Sequence, residues 1–162
     1  MNHIRTFTIC AALIATIFAA AAGPALAAEQ EEGQLIAVLE ADSPKADKAI
    51  TCKGLAVYGT KNAVPALAKL LPDKELTSWA RIALEAIPGP QADAALRNAM
   101  SEVEGRILVG VINSIGVRRD AAAVDGLAAR LKDADAQVAS AAAVALGHIG
   151  NAAATAILEK SL

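Results

Sequence analysis

Helix-ending or small residues recur in this chain at intervals of 28 to 34 residues, each time at the same point of an apolar pattern. These anchors are Gly59, Pro88, Gly116 and Gly150. Four sets of apolar residues stand at fixed offsets from the anchors. Four residues before them are Leu55, Leu84, Ile112 and Leu146, and one residue before them are Tyr58, Ile87, Ile115 and Ile149. Eight residues after them are Leu67, Leu96 and Leu158, and twelve residues after them are Leu71, Met100 and Leu162. The third copy keeps the pattern after a three-residue insertion, at Leu127 and Leu131. Such a period in helical sequence predicts an all-α fold, a right-handed α-solenoid of stacked antiparallel helix pairs.

Short connections separate the predicted helices. Ser43-Pro44 supplies an N-cap and a first-turn proline, and Gly59 is expected to end that helix in the left-handed conformation. Connections of two to five residues place consecutive helices side by side and antiparallel. The predicted helices span 34–41, 44–58, 62–71, 75–87, 91–101, 104–115, 121–131, 136–149 and 152–161.

The first 27 residues are typical of a secretory signal peptide. Arg5 lies in a short polar segment, residues 6–22 are almost wholly apolar, and Ala25-Leu26-Ala27 presents small residues where a signal peptidase cleaves. A retained membrane anchor is the alternative, but the apolar run is slightly shorter than the ~20 residues of a spanning helix. We therefore expect a signal peptide (1–27), an acidic linker (28–33) and a repeat domain (34–162), with export to the periplasm or the extracellular space and no stable membrane insertion after cleavage.

Charge and cysteine content narrow the possible functions. The formal net charge is −2, and loss of Arg5 with the signal peptide makes the rest more acidic, which argues against a nucleic-acid partner. Cys52 is the single cysteine beyond the signal peptide, so no internal disulfide is possible there. Its spacing from Ala49, Leu55 and Ala56 predicts a small buried thiol.

The sequence contains few groups that could carry chemistry. His148 is the single histidine after the signal peptide, and neither a metal-ligand cluster nor a phosphate-binding or dinucleotide-binding glycine motif occurs. We therefore predict no catalytic residue, no metal site and no cofactor, and a non-enzymatic role.

Four residues are candidates for contact with a protein partner. Arg118 and Arg119 belong to the three-residue insertion, which we predict to form a loop, 116–120, where two guanidiniums could bind an anionic group together. The simpler interpretation is a solvated loop in which Asp120 caps the next helix. Trp79 lies near Arg81 on one helix, and the pair could anchor an interface, although a buried Trp79 would be core filler.

The C-terminal end of the chain is a further candidate for contact. Leu162 is apolar and no polar helix follows it, which predicts self-association, burial against a partner or a longer natural chain.

The last repeat resembles a known family. Leu131-Lys-Asp133, Val138, Ala142 and Ala145-Leu146-Gly-His-Ile149-Gly150 are similar to the short HEAT-like repeat also found in relatives of phycobilisome lyases. The segment from Leu70-Leu71-Pro-Asp73 to Ala83-Leu84-Glu-Ala-Ile87-Pro88 matches more loosely, and the resemblance extends over 34–162. Ala139 departs from it, because the family often has Arg after the Val, so a ladder of arginines between repeats is in doubt.

The resemblance implies a protein-interaction scaffold, commonly one part of a longer chain. Two other functions stay open: an accessory module of a larger exported enzyme or cytochrome, and a chromophore-handling protein of the phycobilin-lyase type.

Overall fold

The computed structural model describes residues 24–161, with side chains from residue 27 onward. Over this range the chain is helical and contains no strand, which confirms the all-α class. The α-helices are α1 (Pro24–Glu40), α2 (Lys45–Tyr58), α3 (Val64–Ala68), α4 (Thr77–Ala86), α5 (Pro90–Glu102), α6 (Gly105–Arg118), α7 (Val124–Arg130), α8 (Ala136–Ile149) and α9 (Ala152–Glu159). Short 3₁₀ turns, Lys61–Ala63 and Ala121–Ala123, precede α3 and α7. The predicted signal peptide lies almost wholly outside the described residues, as does Leu162.

The prediction of an acidic linker at 28–33 is wrong, because these residues belong to α1. Glu32 is only 3% exposed, and its carboxylate accepts hydrogen bonds from the backbone N–H (2.6 Å) and the hydroxyl (3.0 Å) of Thr60. The Glu32 carboxylate thus bonds α1 to the residue that precedes the 3₁₀ turn. The acidic run is therefore part of the packed structure.

Two further local predictions are corrected. Gly59 ends α2 in an extended conformation (φ −68°, ψ 142°), whereas Gly150 has the left-handed conformation (φ 60°). Glycine is needed at position 59 for space, since a Cβ there would lie 2.3 Å from the carbonyl oxygen of Leu55. The three-residue insertion does not form a loop: it lengthens α6 to Arg118, and Arg119 (φ 53°) ends the helix.

The helices pack in two rows. In the even-numbered row, α2 packs against α4, α4 against α6 and α6 against α8. In the odd-numbered row, α1 packs against α3, α3 against α5 and α7 against α9. The rows are joined by contacts between chain neighbours, for example α1 with α2, α5 with α6 and α7 with α8. Each helix is therefore covered by neighbours from both rows.

The core consists of the periodic apolar residues. The residues four before the anchors, Leu55, Leu84, Ile112 and Leu146, are all fully buried. Alanines on the same helices, among them Ala80, Ala83, Ala142 and Ala145, are buried beside them and let the helix axes approach closely. Burial of one Leu or Ile side chain stabilises the fold by about 1.5–3 kcal/mol.

Hydrogen bonds connect residues that are one sequence period apart. The guanidinium of Arg130 donates to the carbonyl oxygen of Met100 (3.1 Å), and that of Arg81 donates to the carbonyl oxygen of Gly110 (3.0 Å). The partners are 30 and 29 residues apart in the chain, and Glu32 and Thr60 are 28 apart. The period of the apolar pattern is thus also the period of the polar contacts between successive segments.

We predict that Leu84→Ala or Ile112→Ala lowers the free energy of unfolding by about 2–5 kcal/mol, because each leaves a cavity in the core. Ile82→Ala is the matched control: it lies on the same helix as Leu84 but is 48% exposed, and its effect should be below about 1 kcal/mol. Chemical denaturation followed by circular dichroism measures all three, and equal losses would contradict the packing described above.

Candidate binding site

A groove of about 1160 Å³ lies between α4, α6 and the turn that joins α5 to α6. Thr77 and Arg81 of α4 line one wall, and Arg106, Gly110 and Asn113 of α6 line the other. Glu102 and Glu104 lie at the turn. The wall residues come from sequentially distant segments, and the packing of α4 against α6 brings them together.

Arg81 joins the two walls of this groove. Its Nη1 donates to the carbonyl oxygen of Gly110 (3.0 Å) and to the hydroxyl of Ser114 (2.9 Å). Ser114 is fully buried and donates in turn to the carboxylate of Glu85 (2.6 Å). Burial lowers the pKa of the Arg81 guanidinium from its usual range, and the nearby Glu85 charge opposes that shift. The network therefore holds a partly desolvated cation between α4 and α6, with the Glu85 carboxylate 3.8 Å away.

Gly110 makes room for this arginine. A Cβ at position 110 would lie 2.9 Å from both Cζ and Nε of Arg81, so any larger residue would push the guanidinium away. Our sequence analysis did not identify Gly110, because nothing in its neighbours on α6 marks it. The absence of a side chain at Gly110 has an evident use only once Arg81, one period earlier in the sequence, is known to pack against it.

Trp79 and Arg81 do not form a joint site. The indole of Trp79 is partly buried against the core, and the ammonium of Lys53 from α2 lies 4.7 Å from the ring centroid. Arg81 contacts α6 instead. Residues two apart on a helix face different neighbours, so the predicted joint anchor is replaced by two separate contacts.

Arg118 has an internal role, which corrects the expectation that it faces a partner beside Arg119. Its side chain is 9% exposed, and its Nε pairs with the carboxylate of Asp93. Its Nη1 donates to the carbonyl oxygens of Leu84 (2.7 Å) and Ile87 (2.7 Å) at the end of α4.

The reason lies in Pro88. A helical carbonyl accepts from the N–H four residues later, and proline has none, so the Leu84 carbonyl needs another donor.

Arg119 and Asp120 agree with the simpler interpretation of the insertion. Arg119 is exposed, and nothing described binds its side chain into the core. The Asp120 carboxylate accepts from the N–H of Ala122 (3.0 Å), which confirms the predicted cap, and it also pairs with Arg97. A partner for Arg119 stays a prediction.

Exposed large apolar side chains concentrate on the even-numbered row. Every such residue within the described range lies on α2, α4, α6 or α8: Ile50, Val57, Tyr58, Ile82, Val117 and Val144. Five of them, all but Tyr58, stand two or five residues from the buried Leu or Ile of their helix. At about 100° per residue this places them roughly opposite the core, 140–220° around the helix. We call these five residues the even-row apolar face; the sequence analysis did not identify it, because it followed only the residues at fixed offsets from the anchors.

Few other groups in residues 24–161 could react or bind a ligand. Cys52 is fully buried, as predicted, and burial raises the pKa of its thiol to about 11. Over the same range, no cluster of His, Cys, Asp or Glu could hold a metal ion. No helix of the described range is both long enough and apolar enough to cross a bilayer.

We predict that Arg118→Ala lowers the free energy of unfolding by about 2–4 kcal/mol, because it leaves buried carbonyls and Asp93 without a donor. Arg119→Ala, at the neighbouring exposed position, should change stability by less than about 0.5 kcal/mol. Urea denaturation of both variants tests this, and a negligible loss for Arg118→Ala would show that its contacts contribute little.

Comparison with known proteins gives no further assignment: no protein-family model matches the chain, and no curated protein matches it.

Proposed function

We propose that this protein is an exported, non-catalytic scaffold that binds other proteins. Its helices would form a right-handed α-solenoid of antiparallel HEAT-like pairs. The proposal is supported by the two rows of helices, by polar contacts between segments one period apart and by the periodic burial of Leu and Ile. A packed row of short helices presents a long side surface, which suits binding of another chain.

The even-row apolar face is the single observation that carries the binding role. Single exposed apolar residues are common on soluble proteins, but here the exposed Ile and Val side chains occupy the solvent side of four successively packed helices. Apolar surface grouped in this way marks an interaction site more often than chance exposure does. Exposed polar residues such as Lys53 and Asn113 lie on the same helices.

Export is the second part of the proposal, and the N-terminal sequence supports it. Cleavage after Ala27 would remove the first four residues of α1 and keep the remainder, including Glu32 and Leu39, which are buried. The contacts that hold α1 to the other helices would therefore survive processing.

We predict that the double variant Ile82→Glu/Val117→Glu loses at least tenfold in partner capture, because charge replaces apolar surface at the centre of the face. The bait is the full chain, immobilised against an envelope fraction from its source cells, with captured proteins quantified by mass spectrometry. Ala129→Glu is the matched control, since Ala129 is exposed on α7 of the odd-numbered row. Equal capture by wild type and both variants would refute the binding role of the face.

We also predict that the protein recovered from cells begins at Ala28. N-terminal sequencing of protein from the periplasmic fraction and the culture medium measures this. An intact chain that starts at Met1 and stays in the cytosolic fraction would contradict export, whatever the outcome of the capture experiment.

A further inference from the structure

Two polar atoms at the wall of the groove have no hydrogen-bond partner in residues 24–161. They are the hydroxyl oxygen of Thr77 and Nε of Arg81, both shielded from solvent. Thr77 is only 7% exposed and lines the groove together with Arg81. A buried polar group without a partner destabilises the fold, so two such atoms lining one groove call for an explanation.

The Nε–Nη2 edge of Arg81 has no acceptor among the described residues, and this is the edge with which arginine binds a carboxylate side-on. Over the described range, Nη1 is the one guanidinium nitrogen with an acceptor, bound to Gly110 and Ser114. The Nε–Nη2 edge is left over, and two parallel N–H groups on one edge match the two oxygens of a carboxylate. The guanidinium lies so close to Gly110 that a side chain at position 110 would meet Cζ and Nε.

Charges around the groove favour a single carboxylate over a polyanion. Lys74 and Arg106 line it as further cations, while Glu102 and Glu104 line its turn. Glu85 also lies 3.8 Å from Nη1 of Arg81, so charges of both signs surround the site. The glutamates would repel a ligand with many negative charges, such as a nucleic acid, whereas a single carboxylate meets less repulsion. The volume, about 1160 Å³, is above the usual range for small-molecule sites and accommodates several residues of an extended chain.

We propose that the α4–α6 groove binds an acidic side chain, Asp or Glu, of an extended partner peptide through the Nε–Nη2 edge of Arg81 and the hydroxyl of Thr77. This rests on the proposed function, since it gives the scaffold a specificity site. A ligand oxygen reaches the two atoms after a rotamer change of Thr77, whose side chain has two accessible χ1 positions in a helix, and a small shift of the guanidinium.

The test follows the Arg81 Nε–H signal in ¹H–¹⁵N NMR spectra of the full chain, assigned by its disappearance in Arg81→Lys. Three probes are titrated into the millimolar range: a blocked peptide Gly-Ser-Ala-Glu-Ala-Ser-Gly, the same peptide with Gln in place of Glu, and succinate. We expect the Glu peptide to shift the signal downfield, and the other two to leave it in place.

Two variants check the geometry. Arg81→Lys keeps the charge but lacks the two-nitrogen edge, and Gly110→Ala displaces the guanidinium; each should weaken binding of the Glu peptide about tenfold, as monitored by shifts of the Asn113 backbone amide. Arg119→Gln, outside the groove, should leave it unchanged. If Gly110→Ala fails to fold, Arg81→Lys alone decides.

Each contrary result overturns the proposal. No shift with any probe means that water alone satisfies the two atoms. An equal shift with the Gln peptide shows that binding does not depend on a carboxylate. An equal shift with succinate shows that the site binds free carboxylates and does not select peptides. None of these results affects the scaffold proposal, which depends on the apolar face and is tested with Ile82→Glu/Val117→Glu.

Discussion

The whole arrangement depends on the burial of Leu and Ile side chains of the even-numbered helices between alanine-lined neighbours. Leu84 and Ile112 are fully enclosed, and Ala83 and Ala145 sit beside such residues where the helices come close. Helices as short as these are marginal in isolation, so their stability comes from tertiary contacts. α3 has five residues and α7 has seven. α3 packs against α1, α4 and α5, and α7 packs against α8 and α9.

Polar contacts then set the alignment of each helix relative to the helix one period earlier. Arg118 shows the principle: Pro88 removes a backbone donor from the end of α4, and an arginine one period later replaces it. The three-residue insertion adds most of a turn to α6 and carries Arg118 to the end of α4. Apolar burial alone is non-directional, so these hydrogen bonds supply the directional part of the alignment.

Sequence reasoning recovered what local chemistry determines. Apolar spacing located the buried Leu and Ile positions, and Pro and Gly located most helix ends, because both signals act within one turn. It failed where the deciding partner lies a full period away. Glu32 was assigned to a linker because the sequence does not reveal that Thr60 is its partner. Arg118 was assigned to a binding loop because its carbonyl acceptors are equally hidden in the sequence. The exposed Ile82 and Val117 lie outside the fixed offsets that located the core, so that pattern did not identify them.

Arg81 is part of both the contact between α4 and α6 and the lining of the groove. Its Nη1 ties α4 to α6, while its free edge borders the groove. A ligand bound at that edge would act on the same side chain that holds the two helices together. Because the Arg81 side chain is partly buried, a bound carboxylate would offset part of its burial cost and so favour the folded α4–α6 contact. Binding and the packing of the helices would then be coupled through one residue, without any hinge or moving loop.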